Sequence, residues 1–229
     1  MSNIINKIEN IDDLRAVFET KQKLKIDKFL NEQFAENLYK HAILEKNWSL
    51  STGINNQKYD KKDTLQNQKI NTLQIENVNN AFKKDQFSYV FYRSMNGINM
   101  SYFEFALREI LSSESFIDIL NEITNLKLSK LTTLFMSKYK SGNFLSPHSD
   151  KGNGRLAFVI NLSKLWKPQY GGSLHFMNKE RTEITETYVP QFNNFLIFNV
   201  PEIEGISHFV GHVSPNVKFS RYAITGWFD

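Results

Sequence analysis

His148, Ser149 and Asp150 form the spacing in this chain that most invites a chemical reading. In extended backbone, residues i and i+2 point to the same face, so this imidazole and this carboxylate can converge on one ion. Taken alone the pair is weak evidence, because a surface His-x-Asp arises readily by chance. A third ligand is needed, and the run Ile206-Ser-His-Phe-Val-Gly-His-Val213, about 60 residues downstream, offers two: His208 and His212. Two His and one carboxylate on one face of an ion leave the opposite face open, as Fe(II) requires if it is to take a bidentate keto-acid and then O2. A closed four-ligand zinc site would deny those positions. Arg221 stands in a second informative run, Ser220-Arg-Tyr-Ala-Ile-Thr-Gly-Trp-Phe228, between apolar residues that would be buried. A buried arginine needs an anion, and its planar fork suits a carboxylate held bidentately. A structural Asp or Glu is the bland alternative for that partner.

Only one of the two later histidines can join the site. Four residues of strand separate them by roughly 13 Å, far more than a shared ligand sphere spans. Residue spacing leaves the choice open. The remaining polar and aromatic candidates read as structural. His41 lies in a helical pattern near Leu38, His175 alternates with Leu174 and Phe176 in a strand pattern, and Arg155 opens a strand as a surface ion-pair partner. Gly171-Gly172 lacks the Lys/Ser/Thr that a phosphate-binding turn carries, so a bulge is expected there. Trp166 and Trp227 read as core aromatics.

The elements that must position these residues come next. The chain has 229 residues, of which 41% are hydrophobic and 14% aromatic, enough for one large domain with a sizeable core. It has no Cys, which removes disulfide scaffolds, thiolate zinc sites, iron–sulfur clusters and cysteine nucleophiles together. The net charge of +4 is too thin to argue for nucleic-acid binding. Neither a signal-peptide pattern nor a long apolar run is present, so a cytoplasmic protein without membrane contact is expected. Apolar residues at spacings of three and four predict a helix over 4–20, a second after Asn31 as N-cap, a third opened by the capping box Ser101 to Glu104, and a fourth over 115–124. Lys25 to Leu30 reads as a short strand. Residues 54–79, rich in Asn, Gln, Lys and Asp, read as a polar insertion or mobile loop. After Lys127 short β-rich runs follow at 131–139, 155–162, 173–178, 183–189, 194–200, 207–213 and 221–228. The expected architecture is α+β: a single domain over 1–229 in which 1–127 is mainly helical support and 128–229 is a double-stranded β-helix, or jelly roll.

Six segments, in order, resemble the prolyl-hydroxylase branch of the 2-oxoglutarate and Fe(II)-dependent dioxygenases. They are His148-Ser-Asp150, Gly154 through Leu162, Trp166 with Gly171-Gly-Ser-Leu174, Asn194-Phe-Leu-Ile-Phe198, His208-Phe-Val210 and Arg221 through Trp227. Over Tyr139 to Phe228 the chain is most similar to the subgroup that hydroxylates a proline of a ribosomal protein. The resemblance implies iron ligation by His148, Asp150 and His208, a salt bridge from Arg221 to the far carboxylate of 2-oxoglutarate, and Tyr139 against that cosubstrate. The His208-to-Val213 pattern of the ribosomal subgroup favours His208 as distal ligand, whereas the nine-residue separation of His212 from Arg221 matches the oxygen-sensing branch. Asn161 stands where several relatives bind the far carboxylate with a tyrosine, and Ala223 where some have a serine. Fe(II), 2-oxoglutarate and O2 are the implied cofactor and cosubstrates, with room for ascorbate. The implied partner is a proline-bearing protein or peptide. A free amino acid or small molecule, an oxidative nucleic-acid demethylation and a non-catalytic binding β-helix are the rival readings.

Overall fold

The computed structural model describes residues 4–45, 47–55, 57–62, 67–94, 101–200 and 206–229. In chain order the elements are α1 (Ile11–Lys21), β1 (Lys23–Asp27), α2 (Glu32–Leu44), β2 (Trp48–Ile54), β3 (Gln57–Lys62), α3 (Gln68–Phe82), β4 (Ser88–Ser94), α4 (Tyr102–Leu111) and α5 (Glu114–Thr124). Eight strands follow: β5 (Leu131–Tyr139), β6 (Phe144–His148), β7 (Leu156–Asn161), β8 (Leu174–Met177), β9 (Ile184–Tyr188), β10 (Asn194–Asn199), β11 (His208–Val210) and β12 (Arg221–Phe228).

All the strand pairings are antiparallel, in the order β1-β10-β7-β12-β5-β4-β6-β11-β8-β9, with β2 and β3 attached to β4. The curl of the sheet turns on β4. Its Tyr92 and Arg93 pair with β5, while its Tyr89 and Val90 pair with β6, so one strand carries the sheet from the larger layer to the smaller. The expected α+β jelly roll is the observed fold.

Period-two alternation divides the larger layer into two cores. On β12 the side chains of Tyr222, Ile224 and Phe228 join one cluster and Ala223 the other. Strand β7 repeats this, with Leu156, Phe158 and Ile160 outward and Ala157 and Val159 inward. The outer faces meet the helices through Phe18 of α1, Leu38 of α2, Leu107 and Leu111 of α4, and Phe116, Leu120 and Ile123 of α5. Each such side chain, fully buried, contributes roughly 1.5–3 kcal/mol, so this layer holds the larger sheet rigid from behind. The inner faces enclose the cavity described below.

The helix starts follow the cap residues. Asn31 accepts from Gln33 N and Phe34 N, and Ser101 and Glu104 form a reciprocal capping box. The fourth predicted helix begins slightly earlier, because Ser113 rather than Ser115 accepts from the backbone of Phe116. Three expectations need correction. The helix predicted over 4–20 starts only at Ile11, since Asn10 adopts φ 56° and the segment before it runs beside β1's end, with Ile5 bridged to Leu30. The 54–79 stretch is not a plain loop: β3 pairs with β2 in register from Ser49–Lys62 to Ile54–Gln57, and α3 packs with Asn71, Val78 and Ala81 inward. Residues 56 and 63–66 lie outside the described set. Strands β2, β4 and β6 were not anticipated. Pro147 lies in β6, which makes that run look like a turn.

Candidate metal centre and cavity

Strand register brings the histidines together. His148 ends β6, His208 begins β11, and the two are direct cross-strand partners, so both imidazoles leave the same face. Their ring centroids are 4.3 Å apart. Asp150, two residues beyond His148, lies between them, with Oδ1 3.4 Å from His148 Nε2 and Oδ2 3.4 Å from His208 Nε2. One donor atom from each of the three falls within 4.8 Å of the others. His148 Nδ1 lies 3.0 Å from Ser146 O; donating its proton there leaves Nε2 with a free lone pair.

Asp150 and His208 are buried and His148 is partly so. Burial alone would push the Asp150 carboxyl up, but the His208 charge and hydrogen bonds from both imidazoles outweigh it and hold the group well below the usual carboxylate range. Burial, together with the charge of His148, pushes His208 down, against the pull of Asp150. An anionic Asp150 carboxylate and a His208 imidazole that sheds its proton easily are donor states that a divalent metal needs. The donor set therefore fits Fe(II) held by two His and one carboxylate.

Arg221 is 3% exposed, on the inner face of the first position of β12. Among the described residues no carboxylate pairs with it. Its NH2 donates to Asn161 Oδ1 at 3.3 Å, its guanidinium carbon lies 4.9 Å from the Tyr139 ring centroid, and its Nε finds no partner. The described residues offer no structural Asp or Glu that would explain a buried arginine, and an orphaned donor on a desolvated cation calls for an anion. Asn161 spends its amide N–H on Asn194 Oδ1 at 2.8 Å, so it turns its oxygen to the guanidinium. It braces the arginine through that oxygen. Burial, opposed by the Arg221 charge, pushes the Tyr139 phenol up to about 12, so it stays a neutral donor.

Both groups open on one cavity of about 870 Å³, whose lining includes His148, Asp150, His208, Tyr139 and Arg221. Phe91, Phe135, Val159, Phe198 and Val210 supply apolar walls. Residues from the amino-terminal half also line it, among them Ser51, Lys58, Asp60, Tyr89 and Arg93. Sequence reasoning missed β4's share, although the alternation Tyr89, Phe91, Arg93 was the available signal. Lys58, from the 54–79 stretch, and Lys151 and Asn153, from the turn after Asp150, line the cavity too.

The other candidates fall elsewhere. His212 lies beyond the end of β11, stacked on Phe144 with centroids 4.2 Å apart and edge-on to Phe82. His175 points away from the cavity, stacked on Phe209 and 2.9 Å from Thr187 Oγ1. Arg155 donates to Leu126 O and lies 3.6 Å from the Asp229 carboxylate. His41 sits between Glu104 and Glu45. Trp166 donates to Gly171 O. Gly171 has φ 69°, and a Cβ there would stand 2.0 Å from His212 O, so the glycine serves close backbone packing. Trp227 lines the cavity as well as packing in the core.

Residues 134–229 match the model of the 2OG-Fe(II) oxygenase superfamily. That segment is similar to the 2OG-Fe(II) oxygenases. The family name carries Fe(II) and 2-oxoglutarate, which are the groups the donor set and the unpaired arginine fit. A prolyl 3-hydroxylase of Xenopus laevis is 32% identical over 128 residues, which are 54% of this chain and 24% of that protein, so the chain spans about a quarter of its relative's length. Two solved structures share the fold across nearly the whole chain. A prolyl-4-hydroxylase of Pseudomonas putida has a TM-score of 0.62 at 14% identity, covering 95% of this chain and 97% of its own. A prolyl hydroxylase of Trichoplax adhaerens, in complex with a hypoxia inducible factor oxygen degradation domain peptide fragment, has a TM-score of 0.51 at 15% identity, covering 97% and 93%. Among the described residues no helix is long and apolar enough to cross a membrane.

Proposed function

We propose that this chain is an Fe(II)- and 2-oxoglutarate-dependent dioxygenase that hydroxylates a C–H bond of a prolyl residue in a protein or peptide. The observation that carries the reading is the pairing, in one cavity, of the His148, Asp150 and His208 donor set with a buried Arg221 that has no carboxylate partner among the described residues. The substrate class is supported by the prolyl 3-hydroxylase relative and by two prolyl hydroxylases of the same fold.

His148, Asp150 and His208 would hold Fe(II), and the bound iron would supply the O2-activating redox chemistry. In the net reaction one oxygen atom of O2 enters the substrate C–H bond. The other enters succinate as 2-oxoglutarate loses CO2. The protein's own part is positioning and exclusion. Ser146 O fixes the His148 tautomer. Arg221 receives the far carboxylate of 2-oxoglutarate through its fork, steadied by Asn161, and Tyr139 adds a neutral hydroxyl donor. Leu174, Phe198 and Val210 keep the buried end of the cavity dry, which strengthens both contacts. Ascorbate would serve only to keep the iron reduced.

The test is mass spectrometry on proline-bearing peptides, and on proteins of cells with and without this chain, after incubation with Fe(II), 2-oxoglutarate and O2. A gain of one oxygen atom on proline, matched by succinate, is the expected result. Succinate formation coupled only to a free amino acid or to a nucleic acid would reject the substrate class.

A further inference from the structure

Among the described residues, the charged side chains lining the cavity do not balance. Among the described lining residues the cations are Lys58, Arg93, Lys151, Arg181 and Arg221, and the only acids are Asp60 and Asp150. Arg93 and Asp60 are ion-paired with each other. In the loaded site the metal dication and Arg221 are matched in charge by Asp150 and the 2-oxoglutarate dianion. Lys58, Lys151 and Arg181 are left over. All three are exposed, and none has an ion-pair partner among the described residues. They come from separate elements: Lys58 from β3, Lys151 from the turn after Asp150, and Arg181 from the turn joining β8 to β9.

Three unpaired cations around one opening repel one another, and the low-dielectric walls below focus their field outward. Such an opening favours a ligand that brings negative charge to the rim while placing a neutral group inside. We infer that this rim selects substrate peptides carrying acidic side chains close to the hydroxylated residue. The inference rests on the peptide-hydroxylase reading above and names the class of peptide. An extended peptide rises about 3.3 Å per residue, so side chains two to four positions from the target lie roughly 7–13 Å from it, on the scale of a cavity mouth. A nucleic-acid strand is the rival anion. It needs cations in file along its backbone, whereas these three line one cavity from three separate elements.

The test uses the full chain loaded with Fe(II) and 2-oxoglutarate without O2, and three fluorescent probes. They are a proline-centred peptide with Glu at the second and fourth positions on either side, the same peptide with Lys there, and a single-stranded oligonucleotide of similar length. By anisotropy the acidic peptide should bind about tenfold tighter than the basic one, the sum of a few screened ion pairs, and the margin should shrink as salt rises. The double variant Lys58→Glu/Arg181→Glu, altered only at exposed positions, should reverse the order while leaving 2-oxoglutarate binding unchanged. No binding of the acidic peptide, equal affinities, a preference for the basic peptide, or displacement of the acidic peptide by the oligonucleotide at equal concentration would each overturn the inference. Admitting O2 separates the two readings: an acidic peptide that binds selectively but gains no oxygen contradicts prolyl hydroxylation and leaves the rim's preference standing.

Discussion

Asp150 holds a charge where water barely reaches it, and among the described residues its ion-pair partners are two imidazoles. Removing it should cost the metal more than removing any neighbour. In Asp150→Ala, iron content after reconstitution should fall far below the parent's and succinate formation should cease, whereas His212→Ala should keep both, because His212 is stacked on Phe144 outside the donor set. Equal losses in the two variants would mean that a stability effect had been mistaken for a ligand. For Arg221→Lys the charge survives and the fork does not. The 2-oxoglutarate requirement should rise by about 1–3 kcal/mol, the value of hydrogen bonds to charged groups, with iron affinity nearly unchanged. At this scale much was legible. His148 and Asp150 are readable because the i, i+2 rule acts locally, and Arg221 because an arginine among apolar strand residues is costly. The choice between His208 and His212 was not legible from spacing. Strand β11 ends at Val210, and the chain then makes non-strand contacts at Gly172 and Asn143 before β12 begins, a detour that no local rule encodes.

Strands β12 and β5 carry Arg221 and Tyr139 as direct register partners, so any change to their pairing moves the Arg221 end of the cavity. Gly226 is the tightest point of that ladder. A Cβ there would stand 2.1 Å from Thr133 O and 2.6 Å from the Phe158 ring. Gly226→Ala must therefore shift backbone or a core ring, and denaturant unfolding should show a loss of roughly 1–3 kcal/mol. A stability equal to the parent's would mean that β5 and β12 are less tightly joined than described. The same local physics explains which elements could be read ahead of the structure. Helices α2 and α4 announce themselves through Asn31 and the Ser101–Glu104 box, whose hydrogen bonds act within one turn. Helix α3 does not, because its buried stripe contains Asn71 and Ala81 while Ile70 and Leu73 face solvent. Strand β4 lies between polar stretches, and its inward residues gain meaning only when β5 and β6 are set beside it.

Across the whole molecule, the helical layer and the jelly roll divide the work. The helices cover the outer face of the larger sheet, and the sheet's inner face then needs only to stay rigid around a cavity with a cation-seeking end and an anion-seeking end. The candidate metal donors come from the smaller layer and Arg221 from the larger, so the two ends are brought together by the curl at β4, which is a property of the fold and of no single motif. That one cavity holds iron and 2-oxoglutarate side by side is tested most directly by titrating the iron-loaded protein with 2-oxoglutarate without O2 and recording its visible spectrum. A metal-to-ligand absorption band should grow in and saturate at one cosubstrate per chain. It should be absent from Asp150→Ala and should need more 2-oxoglutarate in Arg221→Lys. Iron-replete protein that shows no band, or a band that both substitutions leave unchanged, would contradict this site.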